Sequence, residues 1–331
     1  MIFKCKNCGG NVIYSPEHKQ MYCPYCDSKE SQERAMEECD KQFCPNCGGE
    51  ITVEEHTSAL QCKYCDHYII LNDRVEGAYL PKKIIPFKLS KEMVKNALRQ
   101  RFKKATFAPT DFLSEVRLNS MVGEYVPFWM YDYDVNCTYN AEGVRVRTWT
   151  TGDIQHTETS YYDVIRDMNI NYKEIPVDAS VKMPDGVMDL LEPYNYGEFV
   201  EFKPEFMSGF TAEKYNMESD TVEFRANDKM STSASAILRN SVSGYSRLHE
   251  RSKNFSVRNK VHNYNLLPAW KYLYTYKDKL YPFYVNGQTG KIVGSVPVSK
   301  QKVLAYGATL FALLSTILIA GGFIIASLGL I

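Results

Sequence analysis

Eight of the ten cysteines fall into two sets whose spacing is that of metal ligands. Each set reads C-x2-C, fourteen residues, C-x2-C, and each cysteine of the second set lies 39 positions after its counterpart in the first. Four thiolates at this spacing can bind one zinc ion as a tetrahedron, so the chain is expected to hold two structural Zn2+ ions. The predicted ligands are Cys5, Cys8, Cys23 and Cys26 in the first set, and Cys44, Cys47, Cys62 and Cys65 in the second.

The two sets belong to an internal repeat that predicts two small β zinc ribbons, at residues 1–38 and 39–80. The aligned units read CKNCGG and CPNCGG at the first cysteine pair, and CPYCD and CKYCD at the second. A unit of this size is too small to build a core of its own. Metal binding is therefore expected to supply its folding energy, roughly 10–16 kcal/mol per site.

One alternative for these cysteines is thiol redox chemistry, because residues 23–26 read CPYC, a dithiol sequence. That chemistry requires a strand–helix context in a thioredoxin-like fold, whereas this pair is the second half of a repeated four-cysteine unit. Cys39 and Cys137 match neither spacing. They are interpreted as a linker thiol and a core thiol, respectively.

The charge of the ribbon region argues against nucleic acid as its partner. Residues 1–80 carry 8 Lys and Arg against 13 Asp and Glu, and four thiolates around each zinc add further negative charge. Such a region repels phosphate. Tyr25 and Tyr64 are the residues that could stack on bases, and packing within the ribbon is the simpler interpretation. We expect the ribbons to dock proteins.

A C-terminal membrane span is predicted at residues 301–331. Residues 303–331 contain no charged side chain, and about 20 apolar residues suffice to cross a membrane. Lys300 and Lys302 precede this segment and favour a cytoplasmic N-terminal side. The N-terminal sequence lacks the apolar region of a secretory signal peptide. The expectation is a single-pass tail anchor in the cytoplasmic membrane.

Basic residues are concentrated before the predicted span. Residues 239–302 carry 12 Lys and Arg and 2 Asp and Glu, although the whole chain has a net charge of zero. Juxtamembrane cations are attracted to an anionic leaflet. The alternatives are a solvated basic face and a membrane-tethered nucleic-acid site. The candidates for the membrane surface are Arg247, Arg251, Lys253, Arg258 and Lys260, together with Lys300 and Lys302.

Residues 81–300 are predicted to form a β-rich α+β domain with abundant aromatic residues. Alternation of apolar and polar residues predicts strands at 122–139, 144–149, 157–164, 267–276, 280–285 and 291–296. Helices are expected at 90–102, from Pro204 onward, and at 220–239. The fold class is thus multidomain: two zinc ribbons, this α+β domain and one transmembrane helix.

The α+β domain also contains a faint duplication. Val116-Arg117 precedes Pro127-Phe128-Trp129 by the same interval that separates Val257-Arg258 from Pro268-Ala269-Trp270. Phe87-Lys88 and Phe202-Lys203 each precede a predicted helix. These matches predict two related halves, with chance similarity among aromatic strands as the alternative.

Catalytic motifs do not emerge from the sequence. GQTGK at 287–291 lacks the Ser or Thr and the first glycine of a P-loop. Asp132 and Asp134 share a strand face, and a solvated face explains them more simply than acid–base catalysis. Trp129 and Trp270 are interpreted as core residues. The expectation is a protein that is not an enzyme.

The chain resembles a bacterial family, the TFIIB-type zinc-ribbon membrane proteins common in Firmicutes. The similarity is carried by the tandem ribbons, by EFKPEFMSGFTAEKY, and by LLPAWKYLYTYKDKLYPFYVNGQTGKIVGSVPVSK before the membrane segment. Family members are often labelled primosomal helicase-like, a label that does not suit a chain without a Walker A loop. The resemblance implies neighbourhoods with flotillin-like SPFH proteins and phage-shock-type envelope-stress proteins, and a role in recruiting them to the membrane.

These observations predict a non-enzymatic, zinc-stabilised, membrane-anchored adaptor. Its partners would be the cytoplasmic membrane and cytoplasmic proteins, by resemblance of the SPFH or phage-shock type. The alternative is a membrane-tethered nucleic-acid-binding protein that uses residues 239–302.

Overall fold

The computed structural model describes residues 1–29, 32–35 and 42–327, and the side chains of residues 1–29 and 42–320. Cys39 lies outside the described residues. The predicted fold class is confirmed: two four-cysteine clusters, a β-rich domain with helices, and one apolar C-terminal helix.

The strands within the described residues follow the chain in this order: β1 (Ile2–Cys5), β2 (Ile13–Ser15), β3 (Gln20–Tyr22), β4 (Gln32–Ala35), β5 (Thr57–Gln61), β6 (Tyr68–Ile70), β7 (Lys83–Ile84), β8 (Val122–Thr151), β9 (Ile154–Asp178), β10 (Val200–Glu201), β11 (Thr211–Glu213), β12 (Arg247–Tyr276), β13 (Lys279–Asn286) and β14 (Ile292–Gly294). The helices are α1 (Lys91–Phe102), α2 (Glu115–Asn119), α3 (Asp185–Leu191), α4 (Ser219–Ser241) and α5 (Lys300–Ser327).

Three very long strands form the backbone of the domain. β8 and β12 have 30 residues each and β9 has 25, so β8 spans roughly 100 Å at about 3.3 Å per residue. β8 lies in the middle and pairs antiparallel with β9 on one side and with β12 on the other. The sequence predicted these strands as shorter pieces, and the structure joins the pieces into one ribbon.

The sheet is covered on both faces near its base. On one face α1 and α4 pack over alternate residues of β8, including Tyr125, Trp129 and Tyr133. On the other face α3 packs over Val126, Phe128 and Met130. Because both faces are buried here, this part of β8 is apolar at successive positions.

Helices α1 and α4 follow the sequence predictions closely. The side chain of Ser90 caps α1 by accepting a hydrogen bond from the Met93 N–H. Helix α4 buries Val222, Ala226, Met230, Ala234 and Leu238, a spacing that places one stripe against the sheet. Together the two helices cover the face of the sheet that carries Tyr125 and Trp129.

The predicted helix from Pro204 is wrong, because the chain forms a 3-10 turn there, Pro204–Met207. Gly209 follows at a φ of 105°. The Ser208 hydroxyl donates to the Val12 carbonyl over 2.6 Å, and the Tyr14 N–H donates to the Ser208 carbonyl over 2.7 Å. Contacts with the first cysteine unit therefore stop a helix that local sequence favours.

The two cysteine units pack against the α+β domain and share its core and its sheet. Met1, Phe3, Cys5 and Tyr14 belong to the same core cluster as α1 and α4. In the second unit, β5 pairs with β11 and so extends the ten-stranded sheet. The described parts of the segments predicted as 1–38, 39–80 and 81–300 thus share one continuous core.

An internal two-fold repeat organises the domain. β7 runs parallel to β12 at Leu266, two residues before Pro268, and β11 runs parallel to β8 at Tyr125, two residues before Pro127. The indole N–H of Trp270 donates to the Leu89 carbonyl over 3.0 Å. In the other half, Trp129 donates to the Met217 carbonyl over 2.9 Å.

Two further pairs of contacts obey the same correspondence. The Gly287 N–H donates to Pro268 and the Ala179 N–H donates to Pro127, each over 2.9 Å. Helices α1 and α4 then begin at corresponding positions after Leu89 and Met217. The predicted duplication of the Pro-x-Trp segments is therefore borne out by geometry, whereas Phe87-Lys88 corresponds to Tyr215-Asn216 and not to Phe202-Lys203.

Candidate metal centres and the start of the apolar helix

Four turns of nearly identical geometry present the eight cysteines. In the turn that begins at Cys5, the Cys5 N–H donates to the Gly10 carbonyl over 2.9 Å and the Gly9 N–H donates to the Cys5 carbonyl over 2.8 Å. The same pair of bonds recurs in the turns that begin at Cys23, Cys44 and Cys62. Each turn points two sulfurs to one side.

The residue after the second cysteine of each turn has a left-handed backbone. Gly9 and Gly48 have φ values of 72° and 69°, and Asp27 and Asp66 have 59° and 58°. Glycine and aspartate tolerate this conformation, which explains their placement in the repeat. The residue types at this position of both repeat units thus have a backbone cause.

The second glycine of each GG pair is required by a neighbouring aromatic ring. A Cβ on Gly10 would lie 2.7 Å from the Tyr25 ring, and a Cβ on Gly49 would lie 2.5 Å from the Tyr64 ring. The two tyrosines therefore pack on their own units, while 66% and 70% of their surfaces stay exposed.

The sulfur positions suit a tetrahedral metal ion. In the first cluster the Sγ atoms of Cys5 and Cys26 lie 3.6 Å apart, as do those of Cys8 and Cys23. In the second, the Cys44–Cys65 and Cys47–Cys62 distances are 3.7 and 3.8 Å. Four sulfurs at about 2.3 Å from a central ion would be about 3.8 Å apart. Each cluster can hold one metal ion.

One sulfur pair in each cluster is buried and the other faces solvent. Cys5 and Cys23 are buried, and so are Cys44 and Cys62, whereas Cys8, Cys26 and Cys47 are exposed. Burial raises the pKa of Cys44 to about 12, so a metal ion must displace the thiol proton when it binds. Cys137 is fully buried against Leu238 of α4, which confirms its interpretation as a core thiol.

Helix α5 leaves the domain directly after β14. The Ser299 N–H donates to the Phe107 carbonyl over 2.8 Å, and Lys302 Nζ donates to the Ala108 carbonyl over 2.7 Å. The Phe107 and Tyr306 rings lie 5.5 Å apart. These contacts fix the first turn of α5 against the segment that follows α1.

Within the described residues, one helix is long and apolar enough to cross a membrane by length and composition. It covers Lys300–Ala320, 21 residues with a mean hydropathy of 2.1, and none of its most apolar window is buried. Because the helix leaves an apolar surface uncovered, the chain carries a candidate membrane span at this point.

The comparison with known proteins gives one extensive match. The chain is 40% identical over 337 residues to the Bacillus subtilis (strain 168) protein named "Uncharacterized protein YdjG", covering 97% of this chain and 99% of the relative. The chain belongs to the YdjG family. Protein-family models give no match, and neither do solved structures.

In this member of the YdjG family, the five basic candidates of β12 are distant from the start of α5. Tyr272 of β12 marks the end of the strand near α5, because its hydroxyl donates a hydrogen bond to the Phe112 carbonyl. Lys260 lies 12 residues before Tyr272 and Arg247 lies 25 residues before it, which is roughly 40 and 80 Å along the strand. Two of the five are paired with acids: Arg251 bonds Asp163 over 2.7 Å and Glu142 over 3.0 Å, and Lys260 bonds Glu223 over 2.7 Å.

The remaining three candidates on β12 do not join a cluster beside α5. Lys253 donates to the Ser235 hydroxyl of α4 over 3.0 Å. Arg247 and Arg258 are exposed on β12. Lys300 and Lys302 alone among the seven predicted membrane-surface residues lie at the first turn of α5.

A second group of basic residues does lie beside α5, and the sequence reasoning missed it. Arg101, Lys103 and Lys104 are exposed at the end of α1, and Phe107, three residues later, contacts α5. The run RQRFKK at 99–104 was visible in the sequence. It was overlooked because nearly two hundred residues separate it from the apolar segment.

A cleft of about 1050 Å³ lies between the second cysteine unit and the sheet. Lys63 and Tyr64 of the second cysteine unit line the cleft, together with Glu124 of β8 and Lys271 of β12. Burial raises the pKa of Glu124 to about 7, with nearby Lys271 acting in the opposite direction. The cleft combines apolar surface with charges of both signs.

The other sequence candidates have structural roles. Asp132 accepts a hydrogen bond from the Glu174 N–H, and Asp134 accepts one from Asn171. The Asn286 side chain accepts hydrogen bonds from the Gln288 and Thr289 N–H groups, so the GQTGK segment is a turn between β13 and β14. Trp129 and Trp270 are buried, as predicted.

Proposed function

We propose that the protein is a non-enzymatic, zinc-stabilised adaptor anchored in the cytoplasmic membrane, with residues 1–302 on the cytoplasmic side. The observation that carries the proposal is that two four-thiolate units share one core with a domain whose last strand leads into an exposed apolar helix. The unit nearest the N-terminus and the candidate membrane span thus belong to one folded body.

The distribution of charge beside α5 supports the proposed orientation. Arg101, Lys103, Lys104 and Lys300 are exposed near the start of the helix. Cations on this side of a span favour retention in the cytoplasm. The same side chains are attracted to anionic lipid headgroups, at about 1 kcal/mol each.

Zinc is the proposed metal because each site offers four cysteine sulfurs at tetrahedral separations. Four-cysteine sites of this kind have a structural role, since every coordination position is taken by protein. The metal would hold the paired turns together, and no step of chemistry is assigned to it.

The cleft beside the second cysteine unit is the proposed docking surface for a cytoplasmic protein. It offers Tyr64 as an exposed aromatic side chain beside Lys63 and Glu54. Exposed aromatic residues beside charges are typical of protein interfaces. The resemblance described above points to SPFH-type or phage-shock-type partners.

The test compares two tyrosines that the internal repeat makes equivalent. Tyr64→Ala removes the aromatic wall of the cleft, whereas Tyr25→Ala makes the same change in the first unit, outside the cleft. Full-length protein is purified from gently solubilised membranes and its partners are identified. We expect Tyr64→Ala to lose most of an SPFH-type or phage-shock-type partner and Tyr25→Ala to retain it.

Three outcomes would contradict the proposal. Equal partner recovery with both variants would remove the cleft from the docking role. Stoichiometric nucleic acid with strong salt dependence would favour the nucleic-acid alternative. Recovery of the intact protein in the soluble fraction would remove the membrane anchor. Deletion of residues 1–80 is unsuitable as a test, because it would strip β5, β6 and part of the core.

A further inference from the structure

Strands β9 and β12 form the two long edges of the sheet on either side of β8, and they differ in how they are protected against pairing with another strand. Among the described residues, β9 pairs with β8 alone, and β12 between Arg247 and Tyr264 also pairs with β8 alone. Each strand therefore has an outer side along which no further strand is paired. Natural sheets protect such edges with bulges and with charged side chains, especially lysine.

The outer edge of β12 carries both protective devices. Its register with β8 shifts between Glu250 and Ser252 and again between Val257 and Asn259. Its basic side chains are Arg247, Arg251, Lys253, Arg258 and Lys260. A bulged and cationic edge opposes the addition of another strand.

The outer edge of β9 between Ile154 and Tyr172 has neither a bulge nor a lysine, and its charged residues, Glu158, Asp163, Arg166 and Asp167, are of both signs. Its register with β8 is continuous over that stretch, which contains no proline. It exposes large apolar side chains instead: Ile154 is 64% exposed, Tyr161 68% and Ile165 65%. A bulge-free edge of this length with exposed apolar side chains is a surface for strand addition.

The sequence of β9 is complementary to itself in one antiparallel register. When Tyr162 lies opposite Tyr162 of a second copy, Glu158 lies opposite Arg166 and Ile154 lies opposite Ile170. These residues share the face of the sheet that α4 covers, as register requires. Asp163 then faces Tyr161 and Asp167 faces Thr157, so charges of like sign do not meet.

The two charged side chains that meet in this register, Glu158 and Arg166, have no ion-pair partner within the described part of their own chain. Arg166 is held in place by main-chain oxygens: Nη2 donates to the Ser241 carbonyl over 2.7 Å and Nη1 to the Ile165 carbonyl over 2.8 Å. Glu158 is exposed. The guanidinium of Arg166 is thus held in place and can bind a carboxylate of a second chain.

We propose that two copies of this chain form a symmetric dimer by antiparallel pairing of β9 with β9, centred on Tyr162. The product is a six-stranded sheet in the order β12-β8-β9-β9-β8-β12. Each Glu158 pairs with Arg166 of the second copy, so the charge pair occurs twice. The proposal is independent of which partner the cleft binds.

The position of α5 agrees with this symmetry. Its first turn contacts Phe107, just after α1, and α1 packs on the same sheet face as α4. A two-fold axis perpendicular to the sheet keeps that face on one side in both copies. Both apolar helices then begin on the same side of the joined sheet, as two anchors in one membrane require.

The first experiment measures the molecular mass of the full-length protein in detergent by light scattering. We expect a dimer for the parent and at least a tenfold weaker dimer for Glu158→Arg, because each interface then holds two opposed arginine pairs. The double variant Glu158→Arg/Arg166→Glu restores the pairing with reversed charges. Asp153→Arg, in the turn outside the pairing, is the matched control and stays dimeric.

The second experiment reads the register directly and does not depend on the folding of charge variants. Tyr162→Cys places a thiol on the symmetry axis, whereas Thr157→Cys places two thiols roughly 33 Å apart. Under mild oxidation we expect a disulfide-linked dimer from Tyr162→Cys and only the parent's background from Thr157→Cys.

The proposal is overturned by a monomeric parent at all concentrations, by a dimer insensitive to Glu158→Arg, or by cross-linking that is equal at the two positions. Restoration by the double variant, together with cross-linking at position 162, would establish both the interface and its register.

Discussion

Asp178 occupies the position in the first half that Asn286 occupies in the second, and both side chains are fully buried. Arg225 lies 2.8 Å from Asp178 and 3.1 Å from Asp185. Burial raises the pKa of Asp178 to about 6, with Arg225 acting in the opposite direction. The folded state therefore binds this proton more tightly than the unfolded state does.

A raised carboxyl pKa predicts a pH dependence of known sign. As the pH falls from 8 to 5, Asp178 takes up a proton in the folded state first, so this group stabilises the fold increasingly. Asp178→Asn, the residue of the other half, removes this effect. Thermal unfolding midpoints should show the parent gaining relative to the variant as pH falls. A constant difference across that range would contradict the assignment.

The metal ligands can be separated from the other buried thiol by substitution. We expect Cys62→Ser to lower the metal content from two ions per chain to one, because a buried corner of one tetrahedron is lost. Cys137→Ser replaces an equally buried cysteine in the core and should retain two ions. Elemental analysis of purified protein measures both, and two ions in Cys62→Ser would exclude it as a ligand.

At the residue scale, the candidate metal ligands could be predicted from the sequence because the spacing of the cysteines is local. It gave no information on the contacts of the five basic residues of β12, because composition does not say which acid lies opposite. Arg251 meets Glu142 and Asp163 only through the register of three strands. Long-range pairing of this kind has no local signal.

The secondary-structure elements test the internal repeat. Trp129 and Trp270 each donate an indole hydrogen bond to a carbonyl just before a helix, Met217 before α4 and Leu89 before α1. Replacement of either by Phe leaves the carbonyl without this donor, at a cost of about 1 kcal/mol.

The repeat predicts that the two losses are alike. Trp129→Phe and Trp270→Phe should lower the unfolding midpoint to a similar extent, measured by near-ultraviolet circular dichroism in detergent. Tyr25→Phe, an exposed ring change, is the control and should leave the midpoint unchanged. A loss confined to one tryptophan would show that the halves are not equivalent in stability.

The elements that the sequence predicted well are those whose pattern is local. Helix α1 has a capping serine and one apolar stripe, and α5 has no charged residue after Lys302. Strand β8 was divided because its environment changes along its length, from burial on both faces at Val126–Tyr131 to one covered face near Ala141. The alternation of residues therefore changes within one strand.

On the scale of the whole molecule, charge near α5 predicts which lipids stay bound. The triple variant Arg101→Gln/Lys103→Gln/Lys104→Gln removes three cations beside the helix, each worth about 1 kcal/mol at an anionic surface. We expect affinity for anionic lipid to fall on the order of 100-fold. Native mass spectrometry of protein in mixed anionic and zwitterionic lipid measures the retained lipid.

The matched control removes three cations from the ribbon: Arg247→Gln/Lys253→Gln/Arg258→Gln. These residues lie far from α5 along β12, so anionic lipid retention should match that of the parent. Equal losses in both triple variants would mean that net charge, rather than position, governs lipid binding.

The first candidate metal centre lies in the common core, and its position there has a consequence for how fast the protein is degraded in the cell. Cys5 and Cys23 pack in the cluster that also holds α1 and α4, so loss of that ion loosens the base of the whole domain and not an appendage. A chain deprived of metal would expose apolar surface and become a substrate for proteases. Its abundance would then follow the supply of metal.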